Sequence, residues 1–166
     1  MRVVIADSSV FIHLANIGKM VLLRELYQEV LIPPAVWEEV VVAGKGRPGE
    51  TGLRLAIDEK WISIASPAPD ISLPANAPPL HPGETEAIHL AMSNPGSLLV
   101  MDEAAGRTLS KQLGLQVIGI VGLLVLAKQR GLIPNLANEL QRLRVVGGFR
   151  LSSELTQHAL RIVGET

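Results

Sequence analysis

The sequence predicts an α/β fold: three layers, α/β/α, with a central parallel sheet. Two observations carry this. Short apolar runs rich in β-branched residues recur at 3–6, 30–32, 62–65, 98–101 and 117–118, and a stretch of helical apolar spacing separates most of them. Parallel neighbours need crossover connections, so strands alternating with helices indicate a parallel sheet covered on both faces. The chain has 166 residues, 48% of them apolar, which is enough material for one substantial core. Residues 1–166 are therefore expected to form a single domain.

The first strand, 3–6, ends in Asp7, and Ser8-Ser9 are placed to cap the helix predicted over 10–17. Gly18 stops that helix, a second amphipathic piece runs over 20–27, and the strand at 30–32 follows. Proline is tolerated in a first helical turn, so Pro33-Pro34 opens a helix predicted over 34–42. Residues 44–49 form a glycine-rich, locally basic connection to a helix ending near Lys60 and a strand around 62–65. Six prolines in 67–82 exclude regular helix there, and the segment reads as a long surface loop within the domain. Helical spacing resumes from Gly83 to Met92, Pro95-Gly96 makes a turn, and the strand at 98–101 ends in Asp102. A helix to Leu113 closes on Gly114, and the last strand is at 117–118. Helices near 121–130, 134–143 and 153–163 complete the chain.

Composition excludes several classes of function. The absence of cysteine rules out a disulfide framework, thiolate metal sites and a cysteine nucleophile, and it fits a reducing compartment. Fifteen basic and sixteen acidic residues leave a net charge of −1, so any basic binding surface must be local. The apolar start is too short for a signal-peptide core. The longest apolar run, 115–127, falls short of the roughly 20 residues that cross a bilayer. A cytoplasmic protein with no membrane partner is expected. A mean hydropathy of +0.32 is high for a monomer of this size and points to self-association or a protein partner.

The chemistry rests on carboxylates. A carboxylate closing an apolar strand must be solvated, paired or bound to a cation, or else it caps the next helix. Asp7 and Asp102 both occupy strand ends, and in a parallel sheet such positions face one crevice, where their repulsion needs a counter-ion. Glu38 and Glu39 lie about 100° apart on a helix, and Glu39 borders the buried stripe set by Val36 and Val40. Glu39 is the inward candidate. Ala87, Ile88 and Ala91 likewise turn Glu84 inward, with Glu86, about 200° away, as an auxiliary. Clustered oxygen donors without cysteine or paired histidines favour Mg²⁺ or Mn²⁺ over zinc. Such ions polarise a phosphodiester and activate water, which supports hydrolysis without a protein nucleophile.

Four segments in order carry a resemblance to a known family. They are Val4-Ile5-Ala6-Asp7-Ser8-Ser9, Ile32-Pro33-Pro34-Ala35-Val36-Trp37-Glu38-Glu39-Val40, Gly83-Glu84-Thr85-Glu86-Ala87-Ile88-His89-Leu90-Ala91 and Leu98-Leu99-Val100-Met101-Asp102-Glu103. With these the chain resembles PIN-domain proteins, and in particular the ribonuclease toxins of prokaryotic toxin-antitoxin modules. The run from Gly114 to Leu124 adds to the likeness, which spans almost the whole chain. One departure stands out: many members carry aspartate in the third segment, where this chain has Glu84. The resemblance implies a Mg²⁺ or Mn²⁺ site made by Asp7, Glu39, Glu84 and Asp102. Ser9 would orient Asp7 or a metal-bound water, and Glu86 and Glu103 would be of second rank. It also implies an RNA substrate, a homodimer and a small antitoxin whose tail reaches the site.

Lys45, Arg47 and Arg54, with Arg107 and Lys111, are candidates for a local positive field toward RNA phosphates. Only 3% of residues are aromatic, which argues against a base-stacking platform. His13, His81, His89 and His158 show no metal spacing, and Gly119 to Gly122 lacks the lysine of a phosphate-binding loop. A phosphoacceptor receiver domain is disfavoured, because no aspartate ends the third strand and no lysine follows the last. The leading expectation is a metal-dependent endoribonuclease. The alternative is a catalytically silent PIN-like interaction module whose acids assemble no productive site.

Overall fold

The computed structural model describes residues 2–166. Five three-residue strands form one sheet: β1 (Val4–Ala6), β2 (Val30–Ile32), β3 (Ile62–Ile64), β4 (Leu98–Val100) and β5 (Gln116–Ile118). Their order is β3-β2-β1-β4-β5, and every pairing is parallel, with Ile5 opposite Leu31 on one side and Leu99 on the other. The α/β class with a parallel sheet flanked by helices is thus the one the sequence predicts.

Strand alternation sorts side chains into two cores. Val4, Ala6, Val30, Ile32 and Val100 face a large cluster completed by Phe11, Leu14, Leu23, Leu53, Leu124 and Leu140. These come from α1 (Ser8–Asn16), α2 (Val21–Tyr27), α4 (Glu50–Asp58), α7 (Ile120–Gln129) and α8 (Leu136–Val145). Ile5, Leu99 and Met101 face the opposite cluster, built with Ala87, Ile88 and Ala91 of α5 (Pro82–Met92) and Leu109 of α6 (Ala104–Gln112). The proline-rich segment 65–81 is irregular, as its prolines require, and Leu73, Ala77 and Leu80 pack against this second cluster. The last helix is α9 (Ser153–Ile162). Among the described residues, no helix is long and apolar enough to cross a membrane.

Three local expectations need correction. Asp7, not Ser8 or Ser9, caps α1: it is extended, and its side chain accepts from the Val10 N–H. The helix after β2 is not uniform. Four α-helical residues, α3 (Pro34–Trp37), continue into a π-helical turn, Glu38–Val42. And α8 begins two residues later than expected, because Asn135 takes the cap position and accepts from the Asn138 N–H.

The chain lays β1, β2 and β3 side by side outward, then returns to place β4 on the other flank of β1. Connections leaving β1 and β4 therefore diverge, α1 to one face and α6 to the other. A crevice opens beyond the carboxyl ends of these two strands, the usual ligand position in a parallel sheet.

Candidate metal centre

Asp7 and Asp102 follow β1 and β4 at this crevice, and they are built alike. Asp7 is fully buried; its Oδ1 accepts from Ser9 Oγ at 2.9 Å and from the Val10 N–H at 3.3 Å. Asp102 Oδ1 accepts from the Ile120 N–H, the first residue of α7, at 3.1 Å. In each case the other oxygen, Oδ2, is buried without a hydrogen-bond partner. Each carboxylate is thus anchored by one oxygen to a helix N-terminus, where the helix dipole favours its charge. Its second oxygen is left free. A buried, unpartnered carboxylate oxygen is costly, and two at one crevice fit a bound cation.

The other two acids approach from the helix layers. Glu84, in the first turn of α5, is only 7% exposed. Glu39 sits in the π-helical turn; its Oε1 accepts from the Gly83 N–H at 2.7 Å, and its Oε2 accepts from Ser8 Oγ. Ser8 thus ties the residue after Asp7 directly to Glu39.

Electrostatics link the set. Burial, opposed by the Ser9 and Val10 hydrogen bonds and reinforced by the charges of Asp102 and Glu84, pushes the Asp7 carboxyl up to about 7. Burial also raises Asp102, against the Ile120 N–H and the nearby His13 and Arg107. Glu84 is raised by burial and by Glu103, with Glu39 acting in the same sense and His81 against it. The four acids share one field that a divalent cation would relieve. Among the described residues, no three Asp, Glu or His side chains already converge on one point. Glu39 has both oxygens engaged by hydrogen bonds, whereas Asp7 and Asp102 have one each.

Glycines keep the space open. A Cβ at Gly83 would stand 2.8 Å from Glu39 Oε2, and one at Gly119 would stand 2.8 Å from Asp102 Oδ1 and overlap Arg107 Nη1. A Cβ at Gly106 would strike Met101 Sδ beside Glu84. Ser8, Gly83, Gly119 and His13 were not legible as site residues. For Ser8 and Gly83 the sequence does offer a signal, since each adjoins a candidate acid. For His13 it offers none, since that residue comes near Asp102 only because α1 packs on α7.

The other expected residues divide between the site and its surroundings. Glu86 Oε2 accepts from the Ala35 N–H at 2.8 Å, which ties one of its two oxygens to the start of α3. Arg54 pairs with Glu50 and lies over the Trp37 ring, which removes it from the set of free cations. Arg107 does stand at the site, donating to the Met101 carbonyl at 3.2 Å.

Two comparisons bear on these observations. A family model described as a PIN domain matches residues 3–165. No curated protein matches the chain.

Proposed function

Because the chain belongs to the PIN-domain family, we propose that it is a Mg²⁺- or Mn²⁺-dependent endoribonuclease, whose ion is held by Asp7, Asp102, Glu84 and Glu39. The family is typically one of nucleases that use divalent metals on nucleic acid, which sets the reaction class. The observation that supports the finer reading is the pair of buried, unpartnered Oδ2 atoms on Asp7 and Asp102. When bound, the metal supplies Lewis-acid polarisation of the phosphodiester and a water of lowered pKa. The donors are all oxygens, as a hard cation requires.

The protein's own part is positioning. Ser9 and the Val10 N–H fix the Asp7 carboxylate, and the Ile120 N–H fixes that of Asp102. Ser8 and the Gly83 N–H hold Glu39 at the rim. Their hydrogen bonds orient ligands that would otherwise repel one another and rotate away. Glu86 supports the site through α3 rather than as a ligand.

The experiment is RNA cleavage with Mg²⁺ or Mn²⁺ by the intact protein, Asp7→Asn and Asp102→Asn. Each variant is expected to lose more than the roughly 10- to 100-fold typical of disturbing an outer-shell partner. Equal activity in all three overturns the proposal. The second reading, a silent interaction module, draws on the incomplete convergence of the acids. It predicts no Mn²⁺ binding by calorimetry.

A toxin role, an antitoxin, a homodimer and single-domain organisation belong to the same proposal. Val145 and Val146, 74% and 62% exposed, supply apolar surface for a protein contact. Co-purification and light scattering check these assignments.

A further inference from the structure

Apart from the cavity next to Asp102, between α7 and α9, a hollow of about 480 Å³ opens at the starts of β1 and β4, the end of the sheet away from the acids. The C-terminal ends of α2 and α7 wall it, and Val4, Leu26, Leu98 and Leu126 give it an apolar lining. Its polar lining is Arg2, Tyr27, Gln28 and Arg130. The Tyr27 hydroxyl is buried without a hydrogen-bond partner. Burial pushes this phenol up and the charges of Arg130 and Arg2 act against burial, so both cations stand near it. Each guanidinium is tethered once: Arg130 Nη1 donates to the Leu26 carbonyl at 3.2 Å, and Arg2 Nε donates to the Gly96 carbonyl at 3.2 Å. A guanidinium carries five N–H donors, so one such bond positions it and leaves the others for a ligand. Among the described residues neither arginine forms an ion pair, and Glu29, in a smaller hollow that shares Arg2 and Tyr27, pairs with neither.

The backbone beside Tyr27 is strained. Gln28 has φ 67° and ψ −48°, and the Glu29 N–H donates to the Tyr27 carbonyl at 2.8 Å, which together make a γ-turn of the rare, costly hand. Such strain clusters at ligand clamps, where the surrounding structure holds it in place. Two tethered cations, a buried donor without an acceptor and an apolar floor call for a ligand with an anionic end and an apolar body. The volume falls within the roughly 300–1,000 Å³ of small-molecule sites. We infer that this hollow binds a small amphipathic acid, a carboxylate or phosphate monoester on an apolar body: the head sits between Arg2 and Arg130 and accepts from the Tyr27 hydroxyl, and the body lies on Val4, Leu98 and Leu126. The hollow shares no residue with the four acids of the metal centre, so the site stands apart from the nuclease reading.

The test is titration calorimetry of the full chain with octanoate, octyl phosphate, octanol and inorganic phosphate, in chelator so that no acid binds through a divalent cation. At least one of the two amphipathic acids is expected to bind about tenfold or more tightly than both octanol and inorganic phosphate. Preference for octanoate assigns a carboxylic acid, and preference for octyl phosphate assigns a phosphate monoester. Arg130→Gln and Arg2→Gln are each expected to weaken the preferred acid by about tenfold, as loss of a hydrogen bond to a charged group does. Tyr27→Phe should weaken it by a similar factor while leaving the melting temperature of the unliganded protein unchanged or higher, because the hydroxyl it removes has no partner there. A hydroxyl with a merely structural role would lower that temperature. Arg24→Gln, on α2 but outside the hollow and paired with Glu59, should bind as the wild type does. No binding of either acid, or binding no tighter than that of octanol or of inorganic phosphate, overturns the site. So does acid binding that Arg2→Gln, Arg130→Gln and Tyr27→Phe all leave unchanged, since the ligand then sits elsewhere.

Discussion

At the scale of single residues, Asp7 caps a helix with only one of its two oxygens. Its Oδ1 caps α1 while its Oδ2 stays buried without a hydrogen-bond partner, so capping leaves one oxygen of the carboxylate available for the proposed cation. The arrangement strains the metal-free protein. An unfolded aspartate titrates near 4, whereas burial moves folded Asp7 up to about 7. The folded state therefore holds the extra proton between these values. The stability from this group is full at pH 4 and is lost as pH rises through 7. We expect the melting temperature of metal-free protein to fall from pH 5 to pH 8, and Asp7→Asn to stabilise it at pH 8 by an amount of order 1–3 kcal/mol. Thermal melts at several pH values check both. Mn²⁺ held as proposed would compete with that proton, so its affinity, read by calorimetry, should fall as pH drops below 7. Gly83→Ala is a second test at this scale. Alanine normally favours a helix, but here its Cβ meets the Glu39 carboxylate at 2.8 Å. Activity is expected to drop about 10- to 100-fold while the melting temperature stays nearly unchanged.

At the scale of elements, the helix after β2 shows how sequence proximity and structural support part company. Pro33 at its cap position and Pro34 at its first turn leave α3 no capping side chain of its own. Glu86, on α5, supplies the acceptor for the Ala35 N–H. Glu86→Ala is expected to cost about 1 kcal/mol, the ordinary value of a lost cap, by chemical denaturation. Its effect on activity should be smaller than that of Asp7→Asn or Asp102→Asn, because Glu86 acts only through α3. Beyond Trp37 the widened π-helical turn carries Glu39, and such insertions concentrate at functional sites. An α-helical projection did pick Glu39 over Glu38, and Glu39 is indeed the partly buried one of the two. The π turn itself had no signature in the sequence, since Glu38-Glu39-Val40-Val41-Val42 reads equally well as α-helix.

At the scale of the whole molecule, the C-terminal segment closes back on the body. Glu165 accepts from the Leu136 N–H at 2.7 Å and the Ala137 N–H at 3.0 Å, and its carboxylate pairs with Lys128. This contact fixes α9 beside α7 and so shapes the cavity next to Asp102. Glu165→Ala is expected to lower stability by about 1–2 kcal/mol, as loss of a helix cap does, by urea denaturation. Metal linkage is the other global test. Mn²⁺ at a hundred times its dissociation constant should add about 2.7 kcal/mol to the unfolding free energy. The gain should vanish in Asp102→Asn.

Strand periodicity, helix punctuation and the order of the acids were determined by the sequence alone. Local apolar spacing and glycine or proline stops depend on neighbours within a few residues, so the α/β class and the positions of Asp7 and Asp102 at strand ends could be read directly. Which side chains meet across the sheet was decided only by tertiary structure. The hydrogen bonds from Ser8 to Glu39, from Gly83 to Glu39 and from Ala35 to Glu86 each join residues distant in the chain. So does the nearness of His13 to Asp102. Such contacts arise from the packing of α1, α3, α5 and α7 around one crevice, and no short-range pattern encodes that packing.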